Sequence, residues 1–435
     1  MSKKHFIGIG GVGMAALATL EKALGHDIDG CDSHPSKRTR WLESLGIRVF
    51  EDHSPSHVAG ADAIVATPAV PPGSPELAEA RARGIPVASR GEELAAIVSS
   101  RESIAVCGSH GKTTTATFTA KLLRALGENA SWAIGGETGS FPVAYAAPGF
   151  AEGKGPLVVE ADESDGTLAL YHPSILVVTN CEYDHPDHFP TSADYFRCFE
   201  TARRNSRLVI EAESIDAASP RILEELPFLR PLPLHNRKNA LAAREVALAR
   251  GHSPLSVAAA LEDCVRELPD RRFEKVFDEP GKPLVVADYA HHPTEIRCAI
   301  AMSRAARAGK LRVLFQPHRY SRTKALADAF AKAFGDVDDL VLCPVYAAFE
   351  KPLAGGTSED LLAAFESARA HGDAAAPEPR LADSPSAAWK IAFEEAGPDD
   401  AILVLGAGDI IDIIPQAVRD MAAWRPRAAR TQTPR

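Results

Sequence analysis

Residues 103–115 read Ser103-Ile104-Ala105-Val106-Cys107-Gly108-Ser109-His110-Gly111-Lys112-Thr113-Thr114-Thr115. The apolar run 103–107 has the length of a buried strand, glycines interrupt it, and the spacing that follows predicts a helix over 114–126. Strand, glycine loop and helix in that order make an α/β turn whose backbone N–H groups can point at phosphate oxygens. Lys112 can reach the β- and γ-phosphates of a nucleotide, and the Thr113 hydroxyl can ligate Mg2+. The string departs from a strict GxxxxGK[ST] loop, because Val106 stands at the first glycine position.

Downstream, LVVEAD (157–162) and ILVVTN (175–180) are two more buried-strand runs, so the loop belongs to a parallel α/β unit. The first run ends in Glu160-Ala161-Asp162-Glu163-Ser164-Asp165, and Asp184-His185 follow the second. At neutral pH these carboxylates and the imidazole are available to a hard cation already tied to phosphates, which makes Thr113, Glu160 and His185 the candidate metal ligands.

Upstream, HFIGIG (5–10), a helical stretch over 14–24, Val49-Phe50 and AIVAT (63–67) set the rhythm of another parallel α/β unit. Gly8-Ile9-Gly10-Gly11-Val12-Gly13 follows its first strand and opens a helix, and Asp32 stands after the second strand. That is dinucleotide-binding spacing, in which a diphosphate approaches the helix N-terminus and the acid meets a ribose hydroxyl. The pattern leaves NAD and a nucleotide sugar equally open.

A third unit opens near Arg271, with strand runs at 283–290, 311–317, 339–345 and 401–409. It supplies Arg272, Asp288-Tyr289-Ala290-His291-His292-Pro293 and His318-Arg319-Tyr320-Ser321-Arg322. Arg319 and Arg322 at a strand end can clamp a small carboxylate. The pattern predicts three domains, 1–101, 102–270 and 271–424, with a disordered basic tail at 425–435 and a surface connection at 372–386.

Composition bounds the partners. Net charge is -10 with acids and bases interspersed, so no basic face advertises nucleic acid or acidic lipid. The seven cysteines are scattered singly, which suggests neither a disulfide framework nor a zinc site and fits a reducing cytoplasm. No apolar stretch has the length of a signal segment or a membrane span, so a soluble protein is expected.

Taken in order, GIGGVGM (8–14), GSHGKTTT (108–115), EADESDG (160–166), His235-Asn236 with Asn239-Ala240, RRFE (271–274), DYAHHPTEI (288–296), FQPHRYSRT (315–323) and GAGDI (406–410) resemble the Mur ligase family of peptidoglycan synthesis over nearly the whole chain. The resemblance implies an N-terminal Rossmann-like UDP-binding domain, a central P-loop ATPase-like domain and a C-terminal Rossmann-like domain that takes the amino acid. It implies an ATP- and Mg2+-dependent ligase that joins L-alanine to the lactyl carboxylate of UDP-N-acetylmuramate through an acyl phosphate, as a monomer or weak homodimer.

By position, Gly108, Ser109, His110, Gly111, Lys112, Thr113 and Thr114 would hold ATP. Glu160 would share one Mg2+ with Thr113, and His185 would take a second. His235, Asn236, Asn239 and Arg272 would contact ATP and the transferring phosphoryl group, with Asp288 near the nucleotide. Tyr289, His291, His318, Arg319 and Arg322 would form the alanine end, with His291 a candidate base for the amine. Gly10, Gly11, Gly13 and Asp32 would serve the UDP group.

Two departures matter. The stretch 207–235 is short for the family, so the central domain is expected to lack accessory strands. No lysine stands between Asn180 and Lys238, so the carbamylated lysine of sibling ligases has no candidate, which favours the alanine-adding branch. Two alternatives share the motif set: a recycling ligase that adds an intact tripeptide, and an inactive regulator that binds nucleotide and UDP-sugar.

Overall fold

The computed structural model describes residues 2–67, 70–134, 149–150, 155–185, 188–266, 272–348, 350–371 and 377–426, with backbone alone at Lys37 and 149–150. The linker at 267–271, most of the tail expected at 425–435 and part of the expected connection at 372–386 lie outside these residues. The chain divides into two compact units, Met1–Pro269 and Asp270–Arg435.

The first unit holds two sheets. One is built from β1 (Lys3–Ile7), β2 (Asp27–Cys31), β3 (Arg48–Phe50), β4 (Ala63–Ala66) and β5 (Val87–Ser89). Its order is β3-β2-β1-β4-β5 and every pair is parallel. The helices α1 (Val12–Ala23), α2 (Lys37–Ser44), α3 (Pro75–Arg83) and α4 (Arg90–Ser100) accompany it. The order reverses between β1 and β4, and the crevice beyond the strand ends at such a reversal is where open α/β sheets take ligands. The glycine loop 8–13 follows β1 directly.

The second sheet contains β6 (Ser103–Cys107), β7 (Ser131–Ala133), β8 (Gly149–Phe150), β9 (Leu157–Glu160), β10 (Ile175–Val178) and β11 (Leu208–Glu211), in the order β11-β10-β6-β9-β7-β8. Only the β7–β8 pair is antiparallel. All five residues of β6 are buried, as its unbroken apolar run requires of a central strand covered on both faces. Because β6 lies between β9 and β10, their three C-terminal loops share one rim.

The helices of this part are α5 (Lys112–Ala125), α6 (Ser192–Asn205), α7 (Pro220–Glu225), α8 (Leu234–Ala249) and α9 (Pro254–Cys264). Helix α5 begins at Lys112 rather than Thr114, because Gly111 takes a φ of 82° and turns the chain straight into the helix. Between β11 and α8 the chain forms α7 and two short 3-10 turns, and no strand occurs there among the described residues.

The second unit is built on β12 (Glu274–Phe277), β13 (Leu284–Asp288), β14 (Leu311–Phe315), β15 (Asp339–Leu342), β16 (Arg380–Leu381) and β17 (Ala401–Leu405), in the order β12-β13-β17-β14-β15-β16. It is parallel except for the edge strand β12. Its helices are α10 (Pro293–Ala306), α11 (Tyr320–Ala325), α12 (Ala327–Ala333), α13 (Ser358–Ala370), α14 (Pro385–Glu395) and α15 (Ile414–Ala422). The stretch expected as a surface connection instead contributes β16 and the start of α14. Arg380 of β16 is held there by Asp339 at 2.6 Å and Glu395 at 2.9 Å.

Candidate functional site

The glycine loop after β6 is clamped from the neighbouring strand end. The His110 N–H donates to Asn180 Oδ1 at 2.9 Å, and the His110 carbonyl accepts from Thr179 Oγ1 at 2.6 Å and Asn180 Nδ2 at 2.9 Å. Ser109 Oγ donates to the Glu182 carbonyl at 2.6 Å and lies 2.9 Å from the Tyr195 hydroxyl. The Ser109 hydroxyl is thus committed to holding the loop. Gly108 has a φ of 132°, and a Cβ there would lie 2.1 Å from Thr179 Oγ1, so the close approach of these loops requires glycine.

At the start of α5, Lys112 Nζ donates to the Gly108 carbonyl at 2.6 Å and to both carboxylate oxygens of Glu163 at 2.9 and 3.0 Å. Burial alone would lower the Lys112 pKa, but Glu163, Asp162 and Glu160 outweigh it and hold the ammonium above its ordinary range. Thr113 Oγ1 donates to Glu160 at 3.0 and 3.1 Å. His185 has a φ of 57°, and its Nε2 lies 3.5 Å from Glu163 Oε1. Asn239 bonds Asn236 at 3.2 Å, and a Cβ on Gly111 would come within 2.8 Å of Asn239 Oδ1. The start of α8 therefore packs on the loop, and cationic, hydroxyl, carboxylate and amide groups surround one helix N-terminus. Such an end favours anions through its unpaired N–H groups and dipole.

The other glycine loop of this unit is closed by its own acid. The Gly10 N–H donates to Asp32 Oδ2 at 2.9 Å and the His34 N–H to Asp32 Oδ1 at 3.0 Å, while Arg38 donates to the Gly10 carbonyl at 2.7 Å. Gly11 caps α1, and a Cβ on Gly13 would lie 3.0 Å from Arg90 Cδ. Arg90 also donates to Asp162 at 3.3 Å, which links the two loop systems. Burial opposes the Asp162 charge, but Arg90, Lys112 and His185 hold its carboxyl well below the usual range.

In the second unit the predicted residues gather at the C-terminal ends of β13 and β14. Asp288 accepts from the Phe273 N–H at 2.7 Å and the Ala290 N–H at 2.8 Å. Burial pushes its carboxyl up to about 6, against the pull of Arg272. Arg272 lies 5.2 Å over the Tyr289 ring and 3.8 Å from Glu295. The His291 ring packs 5.3 Å from Tyr289 and 5.5 Å from His318, and Arg322 lies 3.3 Å from His318 Nδ1. Arg319 caps α11 with a φ of 69°, and its N–H donates to the Tyr346 carbonyl at 2.8 Å.

Three stretches match descriptions of a single protein family: "Mur ligase family, catalytic domain" at 3–102, "Mur ligase middle domain" at 106–208 and "Mur ligase, glutamate ligase domain" at 271–408. A UDP-N-acetylmuramate–L-alanine ligase of Rubrobacter xylanophilus is 35% identical, covering 94% of this chain and 97% of that protein. Its namesake from Solibacter usitatus is 36% identical, covering 93% and 92%. The chain belongs to the Mur ligase family.

Solved structures agree on the fold of this Mur ligase. The UDP-N-acetylmuramate-alanine ligase of Thermotoga maritima matches with a TM-score of 0.76 and 27% identity, covering 97% of this chain and all of that one. A murein peptide ligase of Psychrobacter arcticus, at 22% identity and a TM-score of 0.65, is alike in fold.

Within the first unit, Lys112, Thr113, Glu160, His185, Asn236 and Asn239 come together, and His235 lies in the same first turn of α8. Gly10, Gly11, Gly13 and Asp32 form a separate loop. Thr114 is buried in α5, and the His110 ring faces Glu182 at 3.6 Å. Sequence reasoning did not single out Glu163, Asn180 or Arg90, nor Gln316, whose side chain bridges Asp409 at 2.7 Å and the Ile410 N–H at 3.0 Å. Glu163, Asn180 and Gln316 lie inside stretches already named, but their roles carry no local signal, because those roles join strand ends far apart in the chain. No helix among the described residues is long and apolar enough to cross a membrane.

Proposed function

We propose that this Mur ligase is an ATP-dependent enzyme that joins L-alanine to the lactyl carboxylate of UDP-N-acetylmuramate. The observation that carries the reading is the cluster of Lys112, Thr113 and Glu160 at the N-terminus of α5, in a chain 34–36% identical to alanine-adding ligases over almost its whole length.

The backbone of 108–113 and the Lys112 ammonium receive the ATP phosphates, with Thr114, His235, Asn236 and Asn239 as further nucleotide contacts. The Thr113 hydroxyl and the Glu160 carboxylate are hard oxygen donors already 3.0 Å apart, which suits Mg2+, and His185 is the candidate for a second ion. Bound there, Mg2+ would neutralise phosphate charge. A lactyl carboxylate oxygen attacks the γ-phosphorus, the bond to the β–γ bridging oxygen breaks, and ADP leaves an acyl phosphate. The alanine amine then attacks the acyl carbon and phosphate departs with the C–O electron pair. Alignment and charge neutralisation drive the first step, so no protein nucleophile is needed.

Tyr289, His291, His318, Arg319 and Arg322 take the alanine. His291 Nδ1 lies 3.0 Å from the Tyr289 carbonyl, a contact that requires the proton on Nδ1 and leaves the basic lone pair on Nε2. That tautomer suits His291 to accept the amine proton. The loop with Gly10, Gly11, Gly13 and Asp32 receives the UDP group, the Asp32 oxygens keeping lone pairs for a ribose hydroxyl beside the N–H groups they already bind.

The test is phosphate release with ATP, Mg2+, UDP-N-acetylmuramate and a panel of amino acids and peptides. Alanine should be the preferred acceptor. Turnover with tripeptide alone would replace the reading by the recycling activity, and no turnover with any acceptor would leave a binding regulator.

A further inference from the structure

At the end of β2 the first unit holds a group of Cys, His and Glu side chains that the ligase reaction does not use. Cys31, the last residue of β2, lies with His5 of β1 and with His57, and the donor atoms of the three are within 4.8 Å of one another. Cys31, His53 and Glu76 form a second trio within the same limit. Cys31 Sγ is 3.5 Å from His53 Nδ1 and 3.6 Å from Glu76 Oε1, and His57 Nδ1 is 3.8 Å from that carboxylate.

These side chains leave donor atoms over. His5 and Glu76 are fully buried and His57 is 9% exposed, yet His5 Nε2, His57 Nδ1 and Glu76 Oε2 have no hydrogen-bond partner. Buried polar atoms are seldom left in that condition, since each costs its full desolvation. His5 Nδ1 is 2.7 Å from Asp29, and His57 Nε2 is 3.5 Å from the exposed Asp52. A carboxylate behind the imidazole orients the ring and raises the basicity of the nitrogen that faces a metal. The His57 ring is further fixed by stacking on Phe50, centroids 4.0 Å apart. His53, with a side chain 35% exposed, gives the cluster an opening to solvent.

We infer that Cys31 is the shared ligand of a structural site for a zinc-class divalent cation, completed from the two trios that meet on it, His5 with His57 and His53 with Glu76. Thiolate, imidazole and carboxylate are the zinc donor set. Metal–ligand lengths of about 2.0–2.3 Å put tetrahedral donors about 3.3–3.8 Å apart. Binding ionises the Cys31 thiol, and the proton leaves to solvent. The ion would tie the end of β2 to the 53–57 turn and α3, behind a carbonyl that already accepts the Gly8 and Ile9 N–H groups at 2.8 and 3.1 Å.

The experiment uses the full chain purified without chelator or metal-affinity tag. Elemental analysis should find one zinc per chain. Removing it should lower the melting temperature in the absence of nucleotide, and one equivalent of Co2+ should give a thiolate-to-cobalt charge-transfer band. Cys31→Ser should lose that band and His57→Gln should weaken cobalt binding at least about 10-fold. No band in the wild type would overturn the site. So would an undiminished band in Cys31→Ser, which would put the cobalt on one of the other cysteines. Should Cys31→Ser fail to fold, the wild-type band and His57→Gln still decide.

Discussion

Lys112 Nζ sits 2.9 and 3.0 Å from the two oxygens of Glu163, a carboxylate with a fully buried side chain. Lys112, proposed to hold the ATP phosphates, is thus also the partner that keeps a buried anion tolerable. Lys112→Ala should cost about 3–5 kcal/mol of stability by stranding that charge. It should also slow phosphoryl transfer at least about 100-fold and leave UDP-sugar binding nearly unchanged. Adding Glu163→Gln should restore the melting temperature without restoring turnover. Equal melting temperatures for the single and double variants would refute this division of roles.

Gly111 combines a φ of 82° with a Cβ position 2.8 Å from Asn239 Oδ1. Gly111→Ala carries a left-handed backbone cost of about 1–2 kcal/mol and displaces Asn239. ATP affinity should fall about 10-fold or more by calorimetry, with far-UV circular dichroism unchanged. Unaltered nucleotide affinity would mean that the loop tolerates a side chain.

Asp288 has a folded-state pKa of about 6, raised by burial above the ordinary value of about 4. The folded protein therefore holds this proton more tightly than the unfolded chain. The penalty for its charge is absent below about pH 4, grows as pH rises to about 6, and is fully present above that. Melting temperature against pH should decline less over that window in Asp288→Asn than in the wild type. Parallel curves would show that Asp288 does not titrate there.

Arg322 is buried and lies 3.3 Å from His318 Nδ1. A lysine keeps the charge and loses the planar fork. Arg322→Lys should raise the KM for alanine about 10-fold or more while changing kcat less. An unchanged KM would remove Arg322 from the alanine site.

Much of this was legible in one dimension. The runs at 103–107, 157–160, 175–178, 284–288, 311–315 and 401–405 are all strands, because central parallel strands are apolar on both faces. Short strands such as β5, β7 and β16 escaped notice. With two or three residues each, their pairing depends on a neighbour rather than on their own pattern. The site was legible where its residues belong to a motif, as with Lys112, Thr113 and Glu160. The roles of Asn180, Arg90 and Gln316 were not, although Gln316 lies in FQPHRYSRT, since each acts by reaching a loop far away in the chain.

The sequence alone determined the α/β class, the glycine-rich loop at 108–113 and the family, because these rest on local backbone preferences and motif order. The tertiary structure alone decided that Glu163 neutralises Lys112, that Asp288 is pushed towards neutrality, and that scattered Cys31 meets His5, His57 and Glu76. Those residues stand at 5, 31, 57 and 76, a spacing that resembles no metal motif. Parallel strand order sets β1 beside β2 and so pairs residues 24 positions apart, with Ile7 opposite Cys31. Desolvation in the core then gives those chance-looking neighbours their chemistry.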